Sequence, residues 1–239
     1  MNRAAFLSLL AGSAIASLIA LALTAEAQTK KRVLILGDSI AVGYNFGDSI
    51  PTGYAPFVQK MMADSAVVLT PTTEDDKPEN CAGTKFGVQH IDRLLQTRGG
   101  TWDVIHFNWG LHDLKHHTAA GQPSELESDP VQSTVETYEK QLREIVGKMK
   151  ATGAKLIFAT STPVPAGKIK PYRSNADVVR YNKAALRVME DNRIAVNDLY
   201  GFAKPRLAEL QLPANVHFNP EGCEALAREV VKALKAVLK

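Results

Sequence analysis

The chain has 239 residues, 45% of them hydrophobic and 22% charged, which is enough apolar material for one packed domain and too little length for two of ordinary size. Its 28 Lys and Arg against 25 Asp and Glu leave a net charge of only +3, too weak a positive balance to make nucleic acid an expected partner.

Met1-Asn2-Arg3 supplies a positive start, residues 4–24 form an uncharged run rich in Leu, Ile and Ala, and Ala25-Glu26-Ala27 is a small-x-small cleavage site. Residues 1–27 therefore read as a secretory signal peptide ahead of a single domain over 28–239, placed in the secreted or periplasmic space. An uncleaved anchor is the alternative, because the run approaches the roughly 20 residues that span a bilayer. No later stretch is comparably long and apolar, so no membrane partner is expected after cleavage. In an exported chain Cys81 and Cys223 meet an oxidising compartment, and they read either as one disulfide or as two buried thiols.

From residue 28 onward, short apolar runs alternate with longer amphipathic ones, the pattern of an α/β domain with a parallel sheet. Strands are expected at 33–36, 66–69, 103–107, 155–159 and 194–196. The first is a continuous apolar run ended by Gly37, as in a strand buried on both faces. Helices are expected over 56–63, 88–96, 131–151, 177–192, 205–210 and 220–238, the last with Pro220 in its first turn and Glu221 on the favourable side of its dipole. Residues 70–86 and 115–129, rich in Pro, Thr, Glu and Gly, read as long loops of the kind that often carry function.

In an open α/β sheet, ligands bind beyond the carboxyl ends of the strands. Gly37-Asp38-Ser39-Ile40 follows the first strand and Asn108-Trp109-Gly110-Leu111-His112-Asp113 the third, while Val216-His217-Phe218-Asn219-Pro220-Glu221-Gly222 precedes the last helix. A serine hydroxyl is a poor nucleophile unless an imidazole takes its proton and donors hold the resulting oxyanion. Ser39 and His217 supply such a pair.

The stretch 33–39 resembles block I of the SGNH (GDSL-type) hydrolases, 110–113 resembles their Gly-x-Asn-Asp block III, and 216–222 resembles their final histidine block, in order along nearly the whole mature chain. The resemblance implies a three-layer α/β/α sandwich with a parallel five-stranded, flavodoxin-like sheet, and a carboxylic ester hydrolase. It makes Ser39 the nucleophile and one oxyanion donor through its own N–H, and His217 the general base. A second donor comes from a glycine after the second strand, matched best by Gly83, with Gly87 as the alternative. It calls for neither metal nor organic cofactor, and for a small-molecule or carbohydrate ester as partner, O-acetyl groups on carbohydrate above all. A lipase, lysophospholipase or thioesterase on the same scaffold, or a non-catalytic carbohydrate-binding relative, are the alternatives.

Two positions depart from that pattern. His112 stands where the family has its oxyanion asparagine; an imidazole N–H can donate the same bond, and Asn108 is a second candidate. Ala214 stands where the family has the aspartate that orients the histidine, leaving a backbone carbonyl, Asn215 or Asp198 to hold the ring. A dyad of reduced activity is the physical expectation, since the orienting acid fixes the tautomer and stabilises imidazolium.

Other residues have plainer readings. Asp38 braces the strand-to-helix turn, and Asp113 reads as structural. Gly47-Asp48-Ser49-Ile50 repeats the tetrapeptide without a preceding strand and reads as loop. Tyr44, Phe107 and Trp109, with Asn108, are candidates for lining the substrate groove. His112, Asp113, His116 and His117 hold histidines four apart, a metal-binding spacing only on a helix; as a loop, His116 and His117 are solvated.

Overall fold

The computed structural model describes residues 30–43 and 53–239. The signal reading over 1–27, Tyr44 and the second tetrapeptide at 47–50 lie outside the described residues.

Five parallel strands form one sheet: β1 (Lys31–Leu36), β2 (Ala66–Leu69), β3 (Val104–Phe107), β4 (Lys155–Ala159) and β5 (Ala195–Asn197), in the spatial order β2-β1-β3-β4-β5. Each matches an expected strand within two residues. Val33 to Leu36 are fully buried, as are Val104, Ile105 and Phe107, because helices cover both faces of the sheet. The order reverses between β1 and β3, paired from Val33↔Val104 to Leu36↔Phe107, and at that switch point the carboxyl ends of two central strands open side by side.

The helices are α1 (Ser39–Val42), α2 (Ala55–Met62), α3 (Thr84–Leu95), α4 (Val135–Ala151), α5 (Asn175–Asn192), α6 (Leu199–Ala203), α7 (Leu207–Leu210) and α8 (Pro220–Val237). They pack as two groups: α3, α4 and α5 in succession, and α2 against α8. None among the described residues is long and apolar enough to cross a membrane.

Three helix boundaries differ from expectation for physical reasons. The helix expected from residue 88 begins at Thr84, because the Asp113 carboxylate, remote in sequence, accepts the Thr84 N–H at 2.9 Å and its hydroxyl at 2.5 Å. The helix expected from 131 begins at Val135, where Thr134 accepts the Thr137 N–H as an N-cap. The single helix expected over 205–210 is instead the end of a 3-10 turn, Lys204–Arg206, followed by the one-turn α7, because Pro205 sits in that turn and has no N–H to give.

Gly87 sits in the second turn of α3, where an added Cβ would lie 2.5 Å from Ile145 Cδ1 and 3.1 Å from the Trp109 ring, so its missing side chain sets how closely α3 approaches α4. Gly87→Val is expected to destabilise by about 1–3 kcal/mol, read as a lower urea midpoint at unchanged slope. An unchanged midpoint would contradict this packing.

Candidate active site

Ser39 is the first residue of α1, immediately beyond β1. The Asp38 carboxylate caps that turn by accepting the Ile40 N–H at 2.9 Å. Ser39 is 7% exposed, and among the described residues nothing accepts its own N–H.

His217 is held by a compact loop between α7 and α8. Its carbonyl accepts the Leu212 N–H at 2.9 Å, Asn219 N–H returns to the Leu210 carbonyl at 2.9 Å, and the buried Gln211 amide donates to the carbonyls of Pro163 and Val216. Asn219 then caps α8 by accepting the Gly222 N–H at 2.7 Å, with Pro220 at the first helical position. Gly222 is required for close approach: a Cβ there would sit 2.2 Å from the Leu210 carbonyl oxygen.

These two loops bring Ser39 Oγ to 2.8 Å from His217 Nε2. On the far side of the ring, Asn215 Oδ1 lies 2.7 Å from His217 Nδ1 and also accepts the His217 backbone N–H at 3.0 Å. The backbone N–H can only donate, so the Asn215 atom facing the ring is the carbonyl oxygen. An oxygen there demands a proton on Nδ1, which leaves Nε2 bare to accept from the Ser39 hydroxyl. Asn215 thus fixes the tautomer a general base needs. Burial, and secondarily repulsion by Arg173, hold the His217 pKa below the ordinary 6.5.

The pair opens on a cavity of about 510 Å³, also lined by Asn80, Leu111, His112, Lys115 and the loop 168–173. Lys115 Nζ, which can only donate, faces His112 Nδ1 at a long 3.4 Å, leaving Nε2 as the protonated nitrogen of His112. Burial first, then Lys115 and Arg173, push the His112 pKa down to about 3, so the ring is neutral at physiological pH.

The family model for GDSL-like lipases and acylhydrolases matches residues 35–225, a span that contains both Ser39 and His217. The chain belongs to this family. It is a carboxylic ester hydrolase. A search of curated proteins by sequence finds no match. Among solved structures, similarity extends to a lipase/acylhydrolase from Enterococcus faecalis, with 19% identity and a TM-score of 0.65 over 86% of this chain and 96% of the other. It extends also to an acetyl-xylooligosaccharide esterase from Geobacillus stearmophilus (17%, 0.63, 84% and 93%) and to the acetyl xylan esterase AlAXEase (14%, 0.62, 85% and 99%). At these identities the structural likeness establishes the shared SGNH hydrolase fold.

Several expected site residues stand elsewhere. Asp198 is not at His217: it caps α6, accepting the Gly201 N–H and the Thr160 hydroxyl, each at 3.0 Å. Asn108 spends its amide on the Ala159 carbonyl at 2.7 Å, tying β3 to β4 behind the site, and does not line the cavity. Trp109 is fully buried, its indole N–H donating to the Cys81 carbonyl at 3.1 Å, and Phe107 is equally buried, so neither lines a groove. Gly87 cannot be an oxyanion donor, because its N–H is bonded to the Gly83 carbonyl within α3. Gly83 itself is buried at the start of α3 with its N–H unclaimed among the described residues; Asn80, from the same loop, is the residue that lines the cavity.

Residues 112–117 are not helical, and no cluster of ligating side chains suited to a metal occurs among the described residues. His116 is not solvated: it is buried with its ring edge-on to Tyr172. Cys81 and Cys223 are both buried, and no disulfide joins them. Asp38 and Asp113 have the bracing roles expected of them. Burial drives the Asp113 pKa up to about 6 against the bonds from Thr84 that pull it down.

Several cavity residues had no motif to announce them, among them Asn80, Lys115, Lys168, Lys170 and Arg173. Only Asn80 carried a usable signal, as the first residue of the glycine-containing turn.

The His217 resonance, followed by proton NMR, is expected to titrate with a midpoint below 6.5. Arg173→Gln should raise that midpoint only part of the way, since burial is the larger cause. A midpoint above 6.5 in the unaltered protein would contradict the desolvated environment described.

Proposed function

We propose that the protein is a secreted or periplasmic serine esterase that removes small acyl groups, chiefly O-acetyl groups from carbohydrate, through an acyl-enzyme on Ser39. The observation that carries this reading is the 2.8 Å contact between Ser39 Oγ and the bare nitrogen of His217 at the mouth of an open cavity. Ser39 attacks the ester carbonyl as His217 takes its proton. The imidazolium returns that proton to the departing alcohol, and the same ring then activates the water that releases the acid. The Ser39 N–H and His112 Nε2–H, both on the cavity wall, receive the oxyanion, with the Gly83 N–H behind Asn80 as a further donor; the unclaimed state of both backbone donors and the neutral, fixed tautomer of His112 support these roles. The reaction uses only side chains, backbone and water.

The cavity wall is mixed, with Ile40, Leu111, Ile169 and Val216 beside the charged and amide side chains, and what supports a small acyl group on carbohydrate is that two of the structural relatives are an acetyl xylan esterase and an acetyl-xylooligosaccharide esterase. The Enterococcus relative's description as a lipase keeps a long-chain reading as the rival. The non-catalytic reading loses its motive once Asn215 supplies the orientation that Ala214 cannot.

A fluorophosphonate probe is expected to label the protein and not its Ser39→Ala variant, and Ser39→Ala or His217→Ala should lower kcat/KM on 4-nitrophenyl acetate by about 10³-fold or more. Activity should persist on the acid side to a pH below 6.5, since the base stays unprotonated there. Labelling retained in Ser39→Ala would remove this serine from the reaction, and a rate rising from acetyl to long-chain nitrophenyl esters would favour the lipase.

A further inference from the structure

Among the described residues the wall of the Ser39 cavity carries four cationic side chains, Lys115, Lys168, Lys170 and Arg173, and a single carboxylate, Asp38. Elsewhere among the described residues most arginines, Arg93, Arg143, Arg187, Arg206 and Arg228 among them, hold a carboxylate at the surface, while the half-buried Arg32 bonds to the Thr101 and Arg98 carbonyls and stacks on Trp102. Arg173 differs in lying buried on the wall of the cavity. Its residue is 9% exposed, and it donates from Nε to the Leu111 carbonyl at 2.7 Å and from Nη1 to the Pro171 carbonyl at 3.4 Å. Among the described residues no carboxylate lies within ion-pair distance of it, and Nη2 has no acceptor.

Lys115 and Lys168 likewise form no ion pair among the described residues, and only Lys170 does, with Glu125. Asp38 is committed to the Ile40 N–H, and its burial works against its ionised form. Asp38 attracts Arg173 across the cavity without touching it, and that one carboxylate faces four cations, so the positive charge on the wall is only partly balanced. An excess of cations on the wall of a cleft is the arrangement that draws an anionic ligand into it.

We infer that this cavity selects an ester whose alcohol part carries a negative charge, a carboxylate or phosphate gripped by Arg173 with Lys115 and Lys168 beside it. The inference rests on the esterase reading and narrows its substrate to acylated acidic sugars. The planar guanidinium, held at Nε by Leu111, presents its remaining N–H groups for paired bonds to two oxygens of one anion. The lysines add attraction without geometry, and the low-dielectric wall concentrates their field in the mouth of the site. The anion would anchor the substrate away from Ser39 while its acyl group meets the hydroxyl.

The test compares acetate release from O-acetylated methyl glucuronoside, the same sugar as its neutral methyl ester, and O-acetylated methyl glucoside 6-phosphate, with 4-nitrophenyl acetate as an uncharged reporter of the esterase itself. A charged sugar should be preferred over the neutral one by about tenfold or more in kcat/KM, chiefly through KM, and added sodium chloride should erode the preference. Which charged sugar leads tells carboxylate from phosphate. Arg173→Gln and Lys168→Gln should each shrink the charged-to-neutral ratio. Because Arg173 also restrains Leu111, the exposed Lys168→Gln, checked by its thermal melt, is the variant that keeps the fold. Turnover of 4-nitrophenyl acetate with no charged preference, or a preference untouched by both substitutions, would overturn this inference and leave the esterase reading standing. Turnover of no ester and no fluorophosphonate label would remove both.

Discussion

The bond from His217 Nδ1 to Asn215 Oδ1 is the constraint on which the rest of the site depends. It is neutral, so it contributes no charge to stabilise an imidazolium. It does settle which nitrogen carries the proton, and the second bond, from the His217 backbone N–H to the same oxygen, prevents the amide from turning over. An amide in the place of an orienting carboxylate ordinarily threatens the wrong tautomer, because it can present its NH₂ to the ring. Here the backbone removes that freedom. The account is a Ser-His pair held by an amide in the correct orientation, with less electrostatic help than an acid would give.

The remaining electrostatics follow from burial and from Arg173. Both histidines at the cavity are kept neutral by desolvation, reinforced by the guanidinium. A neutral His217 is a ready base, and a neutral His112 with its proton on Nε2 is a donor that does not compete with Ser39 for that base. The positive wall helps burial keep the imidazoles uncharged, and among the described residues its four cations outnumber its one carboxylate. Its own burial in turn lowers the Arg173 pKa, to about 10, which leaves it cationic at physiological pH.

What the sequence made legible divides along the same physical line. The strands were readable because continuous apolar runs between helices signal burial on both faces, and Ser39 and His217 because they fall at strand and helix ends that the topology gathers. Features created by distant contacts were not. The start of α3 depends on the Asp113 carboxylate, 29 residues away. A backbone carbonyl, Asn215 and Asp198 are all open to orient the ring on sequence alone, and only the Thr160 and Gly201 bonds show the aspartate already engaged. Trp109 and Asn108, placed beside the site by position, turn inward to serve the core, as aromatic and amide groups behind a sheet commonly do. Arg173 and Lys115 lie in irregular segments, where a cation leaves no periodic trace.

Nitrogen-15 NMR of the ring-labelled histidine, assigned by comparison with His217→Ala, tests the central claim most directly. At neutral pH the account predicts one dominant form, with Nδ1 protonated and Nε2 unprotonated, that becomes a mixture in Asn215→Ala. A ring protonated at Nε2, or a tautomer ratio indifferent to the loss of Asn215, would contradict it.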